Sequence, residues 1–141
     1  MPFVSITRLR VKSIFRLIPF FRANDASVKD LISAKGLIRG KELMDKNLTF
    51  WTITLWEDEA SMKAFRGSIS HRKAMQNLPK WCNEASYHHW IQESMEFPDW
   101  HSASQKLFKE GKLSKVRNPS KSQLSNQFPA IKWTKTERKL K

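Results

Sequence analysis

The chain has 141 residues, enough for one domain with a real hydrophobic core but not for two. Hydrophobic residues make up 40% of it and aromatic residues 11%, a composition that excludes disorder throughout. The single cysteine, Cys82, excludes an internal disulfide and a multi-thiolate metal site, and the net charge of +13 requires a basic surface or a basic tail.

The first strand and the first helix are predicted at the start of the chain. Residues 3–11 are rich in β-branched side chains and lack Gly and Pro, which predicts a strand. A helical region follows over residues 13–34 and ends at Gly36, with Pro19 expected to kink it or to split off its first turn. Apolar side chains in this region have the helical spacing i, i+3, i+4 and i+7, at Ile14, Leu17, Ile18 and Phe21. The same spacing is repeated further along the chain by Val28, Leu31 and Ile32.

Two strands joined by a hairpin turn come next. Residues 37–43 predict the second strand, residues 45–47 the turn, and residues 48–56 a third strand with strict alternation. One face of this strand is aliphatic and suits packing under helices, whereas the other is aromatic and hydroxyl-bearing and suits a second covered surface. The first face consists of Trp51, Ile53 and Leu55, and the second of Phe50, Thr52, Thr54 and Trp56.

The acidic residues 57–59 are expected to begin the next helix, where the helix dipole favours negative charge. A short second helix follows, capped by Ser70 and ending at Pro79, and residues 85–92 predict the fourth strand. The order is therefore βαββαβ, the split βαβ pattern of the ferredoxin-like folds. We predict an α+β domain with an antiparallel sheet over residues 1–97.

The last part of the chain predicts an added helix and a basic tail. Asp99 is expected to cap an amphipathic helix that begins with Trp100 and ends at Gly111, within a short extension over residues 98–117. Residues 118–141 are dominated by Pro, Ser, Asn, Gln and Lys and predict an irregular tail with Trp133 as a lone anchor.

The positive charge lies mainly towards the ends of the chain. Residues 106–141 hold eleven basic and two acidic side chains, whereas residues 51–105 hold five basic and seven acidic ones. This favours an ordinary domain with a basic tail over a specific nucleic-acid-binding face. No segment is apolar enough to span a membrane, and the first residues are interpreted as part of the fold, so a cytoplasmic location is expected.

The sheet face that bears Phe50 and Trp56 raises the question of what covers it. Two helices cover only one face of a four-stranded sheet, and an open aromatic face would be a large exposed apolar patch. A homodimer that encloses a cavity is the structural expectation. The alternative is that the Trp100 helix folds over the sheet of its own chain.

Histidines supply the candidate chemistry. His71, at the start of the short helix, is a candidate haem ligand or general base, and Arg66, Arg72 and Lys73 are placed to pair with carboxylates of a ligand. The alternative for His71 is an exposed or hydrogen-bonded histidine in a turn between helices. No pattern of metal ligands supports a protein-only metal site.

Two further groups of residues are candidates for lining a site. Thr52, Thr54 and Trp56 are suited to enclosing a flat or oily ligand, and equally to a plain core. His88 and His89 are consecutive on a strand and face opposite sides, so only one of them can face the cavity.

The segment FWTITLWEDEASMKAFRGSISH, residues 50–71, resembles the dimeric α+β barrel superfamily. This superfamily holds antibiotic-biosynthesis and haem-degrading monooxygenases, and the resemblance is nearest to a bacterial branch beside the spheroidene monooxygenases. The shared pattern is a strand ending in Trp, an acidic cap, a helix with Ala, Met and Phe, and a following His. It covers residues 1–93 in element order, and residues 50–75 are specific.

The resemblance implies a homodimer with a pocket between sheet and helices that binds an aromatic, polyene or haem-like molecule. Oxygenases of this kind activate dioxygen with haem or with the substrate itself. Such a site implies His71 as ligand or base, with a ligand shell formed by Arg66, Arg72, Phe50, Thr52, Thr54 and Trp56. The alternatives are a non-catalytic or stress-related binding module of the same fold, and a peripheral membrane- or RNA-associated protein that acts through its basic tail.

Overall fold

The protein is built on one antiparallel sheet, and a computed structural model describes residues 1–141. The strands are Phe3–Val11 (β1), Leu37–Asp45 (β2), Thr49–Trp56 (β3), Cys82–Ile91 (β4), Lys112–Leu113 (β5) and Arg138–Lys139 (β6). The helices are Leu17–Ile32 (α1), Glu59–Arg66 (α2), Ile69–Trp81 (α3), Trp100–Glu110 (α4) and Lys121–Ser125 (α5). The spatial order is β5-β4-β1-β3-β2-β6. The four long strands thus have the ferredoxin-like arrangement, and the predicted α+β fold is confirmed.

The pairing of β1 with β3 gives the sheet two distinct faces. Ser5 lies opposite Thr54 and Thr7 opposite Thr52, so hydroxyl side chains line up across the two central strands. We call this side the cavity face; its β1 and β3 residues are Phe3, Ser5, Thr7, Leu9, Phe50, Thr52, Thr54 and Trp56. The opposite side is the aliphatic face, whose central residues are Val4, Ile6, Trp51, Ile53 and Leu55.

The helices cover the two faces in an arrangement that differs from the predicted one. On the cavity face, Leu31 of α1 packs with Trp56, and the ring of Phe20 lies 4.8 Å from that of Phe50. On the aliphatic face, Trp100, Ala103 and Leu107 of α4 join one buried cluster with β1 and β3. The aliphatic face thus packs under a helix, as predicted, but this helix is the added α4, whereas α1 and α3 cover the cavity face. Alternation separates the faces of a strand but does not say which face a helix will cover.

Both sheet faces are covered within the chain. The predicted alternative, in which the Trp100 helix folds over its own sheet, is the one that the structure shows, although the helix covers the aliphatic face. The argument that an open face bearing Phe50 and Trp56 requires a second subunit is accordingly wrong. The homodimer itself stays a prediction.

The N-terminal part of α1 is less buried than its amphipathic pattern indicates. A 3₁₀ turn at Ile14–Arg16 precedes the helix, and Pro19 lies in the first helical turn, where a missing N–H costs little. The helix buries Phe20 and Leu31. Ile14 and Ile18 of the predicted apolar stripe are each 65% exposed.

Residues 118–141 lie along both edges of the sheet, although only α5 and β6 are regular. The side chain of Gln123 accepts a hydrogen bond from the backbone N–H of Ala85 (3.1 Å) and donates to its carbonyl (3.2 Å). At the other edge β6 pairs with β2, and Leu140 is buried against the core. Trp133, the expected anchor, is 45% exposed. The divisions after residues 97 and 117 stay predictions.

None of the five helices combines the length and the apolar character that crossing a bilayer requires.

Candidate functional site

A cavity of about 390 Å³ lies between the cavity face of the sheet and helices α1 and α3. Its volume falls in the range of small-molecule sites. Hydrophobic side chains form 14 of its 26 lining residues, so an apolar ligand suits it. The sheet supplies a row of hydroxyl groups to this apolar space, from Ser5, Thr7, Thr52 and Thr54.

Trp56 is held rigidly at the end of the β3 segment of the cavity. Its indole Nε1 donates to Thr54 Oγ1 at 2.8 Å, and both residues are buried. Phe65 of α2 packs on the indole with ring centroids 5.7 Å apart. Because the indole N–H has a partner inside the protein, the ring presents apolar surface rather than an unsatisfied donor.

His71 reaches the cavity from the first turn of α3. Ser68 caps this helix by accepting a hydrogen bond from the backbone N–H of His71 (3.4 Å), which fixes where the side chain begins. The imidazole packs edge-on against Phe65 with centroids 5.0 Å apart. Its Nδ1 atom is buried without a hydrogen-bond partner.

The surroundings of His71 keep its imidazole neutral near pH 7. Burial lowers the pKa of His71, and the backbone of Arg66 offsets only part of that change. A neutral imidazole at the wall of the cavity can accept a proton from a ligand or hydrogen-bond to it.

His89 is the member of the histidine pair that faces the cavity. It stacks near Tyr87 at 6.1 Å and near Phe3 at 5.3 Å, and burial lowers its pKa, with the charges of His88 and Arg66 acting in the same direction. His88 points to the other side, where its Nε2 lies 3.1 Å from Glu110. The cavity therefore has two imidazoles and one phenol among its polar groups.

The predicted site residues do not all reach the cavity. Thr52, Thr54, Trp56, Arg66 and His71 border it. Phe50 instead packs against Phe20 and Phe21 of α1, with centroids 4.8 Å and 5.5 Å apart. Arg72 is exposed on α3 and is not part of the lining.

Helix α1 and strand β2 supply cavity residues that sequence reasoning missed. Asn24 and Ser27 of α1 border the cavity, and Asn24 Nδ2 donates to Glu42 of β2 at 3.4 Å. Glu42 also pairs with Arg138 of the C-terminal strand. The signal was the presence of small and polar residues on the same side of α1 as the buried Phe20 and Leu31, where a plain core helix would place apolar ones.

The donor set of the cavity does not fit haem. The two propionates of haem are best held by a pair of cations, whereas Arg66 is the one arginine that borders the cavity and no lysine does. Glu42 adds a carboxylate of the same sign as the propionates. We therefore derive no chemistry through haem. Nowhere do three or more His, Cys, Asp or Glu side chains gather as a metal site requires.

Cys82 plays no part in the cavity. It is fully buried at the end of α3, and burial raises the pKa of its thiol to about 12. A thiol of this kind is not reactive near neutral pH.

No protein-family model matches the sequence, and no curated protein is significantly similar to it. Solved structures do match the fold. SnoaB, a cofactor-independent oxygenase from Streptomyces nogalater, is 13% identical with a TM-score of 0.54, over 70% of this chain and 98% of SnoaB. Rv0793 from Mycobacterium tuberculosis is 9% identical with a TM-score of 0.60, over 67% of this chain and 97% of that one.

An antibiotic biosynthesis monooxygenase is 10% identical with a TM-score of 0.57, over 65% of this chain and 99% of that one. The chain thus has the ferredoxin-like α+β fold of the antibiotic biosynthesis monooxygenase-like proteins. At these identities the likeness concerns the fold alone.

Proposed function

We propose that the cavity binds a flat, hydrophobic molecule with an acidic hydroxyl or enol group, and that the chain is a monooxygenase that needs no haem. The observation that carries this proposal is the neutral imidazole of His71, which borders an apolar cavity whose sheet wall carries a row of hydroxyls. The fold shared with a cofactor-independent oxygenase supports it.

In this proposal His71 is the general base. Its neutral imidazole takes a proton from the ligand, and the resulting anion is electron-rich enough to reduce dioxygen. For a substrate with a CH₂ group beside the aromatic system, both C–H bonds and the O–O bond break, and a C–O bond forms. One oxygen atom becomes the carbonyl oxygen, and the other leaves as water with the two hydrogens. The substrate supplies all four electrons, and the proton held by His71 leaves with the water. Thr52 and Thr54 orient the ligand by hydrogen bonds.

Dithranol, a flat tricyclic phenol with an acidic CH₂ group, is a suitable probe. Oxygen uptake and formation of the anthraquinone are measured with the full chain, and binding is followed by quenching of tryptophan fluorescence. His71→Ala is expected to bind dithranol and to lower turnover about 100-fold or more, the contribution of a general base. His101→Ala is the matched control, because His101 is exposed on α4 and remote from the cavity.

Turnover that survives in His71→Ala would exclude the proposed base. Binding of dithranol without turnover by the wild-type protein would instead support a second function, a non-catalytic ligand-binding module of the same fold. That alternative is supported by the same cavity, and it differs in that the bound ligand does not react.

The proposal also includes the oligomeric state, the location in the cell and the nearest branch of related proteins. We infer a homodimer and a position near the spheroidene monooxygenases from the resemblance of residues 50–75, and a cytoplasmic location from the composition of the chain. Light scattering after size-exclusion chromatography tests the first of these, and a mass of one chain at micromolar concentration would exclude it.

A further inference from the structure

The 3₁₀ turn and the first turns of α1 carry four exposed apolar side chains. Phe15 is 84% exposed, Ile14 and Ile18 are each 65% exposed, and Phe21 is 39% exposed. Single exposed hydrophobic residues are ordinary, but four within eight residues on one surface helix form a patch that a soluble surface does not need. We call these four residues the α1 patch.

Basic residues surround the α1 patch. Lys12 precedes it, and the exposed Arg16 and Arg22 lie within it and at its end. Neither arginine forms an ion pair, and no acidic residue occurs in the chain before Asp25. The patch therefore combines bulky apolar side chains with positive charges that form no ion pair.

We propose that the α1 patch docks the protein on an anionic lipid surface. Phe15 and Ile18, on the outward side of the helix, would enter the boundary between headgroups and acyl chains, while Arg16 and Arg22 contact lipid phosphates. This is the combination of apolar and basic groups by which interfacial helices bind membranes without spanning them.

A second copy of the chain is a poorer occupant of this surface. Two α1 patches placed face to face would bring Arg16 and Arg22 of both copies together, with Asp25 as the first acidic residue after the patch, and like charges at an interface oppose association. An anionic bilayer supplies the complementary charge instead.

The basic tail is a poorer candidate for the membrane contact than the α1 patch. Arg138 is paired with Glu42, and the backbone N–H groups of Lys132 and Trp133 donate to Asp45. These contacts attach the tail to strand β2. If the tail were deleted, a loss of vesicle binding could not be distinguished from a loss of structure. Its contribution to binding is therefore better tested by substitution of exposed lysines.

The location of the patch connects it to the cavity. The inner side of the same helix contributes Ala23, Asn24 and Ser27 to the cavity lining. A hydrophobic ligand dissolved in the bilayer would then be released next to the helix that borders its site. The docking itself does not depend on the proposed chemistry.

Flotation with large vesicles of phosphatidylcholine, with and without phosphatidylglycerol, tests the proposal on the full chain. The wild-type protein is expected to float with the anionic vesicles, less so at high salt, and not with the neutral ones. Phe15→Ser with Ile18→Ser should lower the partition coefficient at least about tenfold, because both changes remove apolar area from the contact. Both residues are exposed, so circular dichroism should be unchanged.

The matched control is Ile69→Ser with Leu124→Ser, two apolar residues of similar exposure (68% and 74%) elsewhere on the surface. It should float like the wild type. A third variant, Lys135→Ser with Lys139→Ser, probes the tail.

Three results would overturn the proposal. The first is absence of flotation with anionic vesicles, and the second is flotation lost through the tail substitutions but kept in the Phe15→Ser, Ile18→Ser variant. The third is a dimer in solution that this variant dissociates, without binding of the wild type to vesicles, since the patch would then be an interface between copies of the chain.

Discussion

The guanidinium of Arg8 donates a 2.6 Å hydrogen bond to Glu84, and both side chains lie inside the protein with exposures of 3% and 4%. The pair joins β1 to β4 on the side of the sheet opposite the cavity. Phe128 of the C-terminal segment covers the guanidinium at 4.3 Å, and Ser120 donates to the same carboxylate at 2.7 Å. Burial lowers the pKa of Arg8 and the bond to Glu84 works against that change, so the two charges depend on each other.

Removing one charge of this pair should destabilise the protein strongly. Glu84→Gln removes the hydrogen-bonded counter-charge of the buried Arg8, and we expect the free energy of unfolding to fall by about 3–5 kcal/mol. Urea unfolding measures it. Glu110→Gln is the control, because the Glu110 side chain is itself 63% exposed where it meets His88, and the change should cost no more than about 1 kcal/mol. Equal effects of the two changes would contradict the assigned role.

The hydrogen bond from Trp56 to Thr54 should also be measurable. Thr54→Val keeps the shape but leaves the buried indole N–H without an acceptor, which is expected to cost about 1–3 kcal/mol of stability. Thr52→Val, at a half-buried neighbouring position of the same face, should cost less. The comparison uses urea midpoints followed by tryptophan fluorescence, and an equal loss in both variants would exclude a special role for the Thr54 hydroxyl.

The contact of the C-terminal segment with β4 depends on one amide side chain. Gln123→Ala removes the acceptor of the buried Ala85 N–H, whereas the Ala85 carbonyl keeps its bond from the Ser114 N–H, and we expect a loss of about 1–3 kcal/mol in the free energy of unfolding. Gln127→Ala changes the same residue type at an exposed position and should be nearly neutral. If Gln123→Ala is equally neutral, the segment does not contribute to stability through this contact.

The stability of the protein should decrease in mild acid. Because the pKa of His71 and that of His89 are lowered by folding, the unfolded chain binds protons that the folded chain does not. Stability is then complete above the unfolded histidine pKa of about 6.5 and is lost as the pH falls from there towards the folded values.

His71→Gln should weaken this pH dependence between about pH 7.5 and about pH 5.5, as measured by urea midpoints. His101→Gln, at an exposed position, should leave it unchanged. An unaltered slope in His71→Gln would mean that His71 is not the buried, neutral group that the structure describes.

The order of the main elements was predictable from the sequence. Strand β3 alternates strictly, and the caps at Asp58 and Asp99 each accept a hydrogen bond from a backbone N–H three residues later, as local chemistry requires. Such signals depend on neighbouring residues only. The cavity residues Thr52, Thr54, Trp56 and His71 were selected because they lie on or beside these well-patterned elements.

Long-range packing decided the rest. The alternation of β3 separates the residues of the cavity face from those of the aliphatic face. Only the folded chain shows that α1 and α3 cover the cavity face and that α4 covers the aliphatic face. The burial of Arg8, Gln123 and Leu140 depends on partners up to 100 residues away. A pattern along the chain determines which side chains share a face, whereas the free energy of packing determines what that face meets, and that energy belongs to the whole structure.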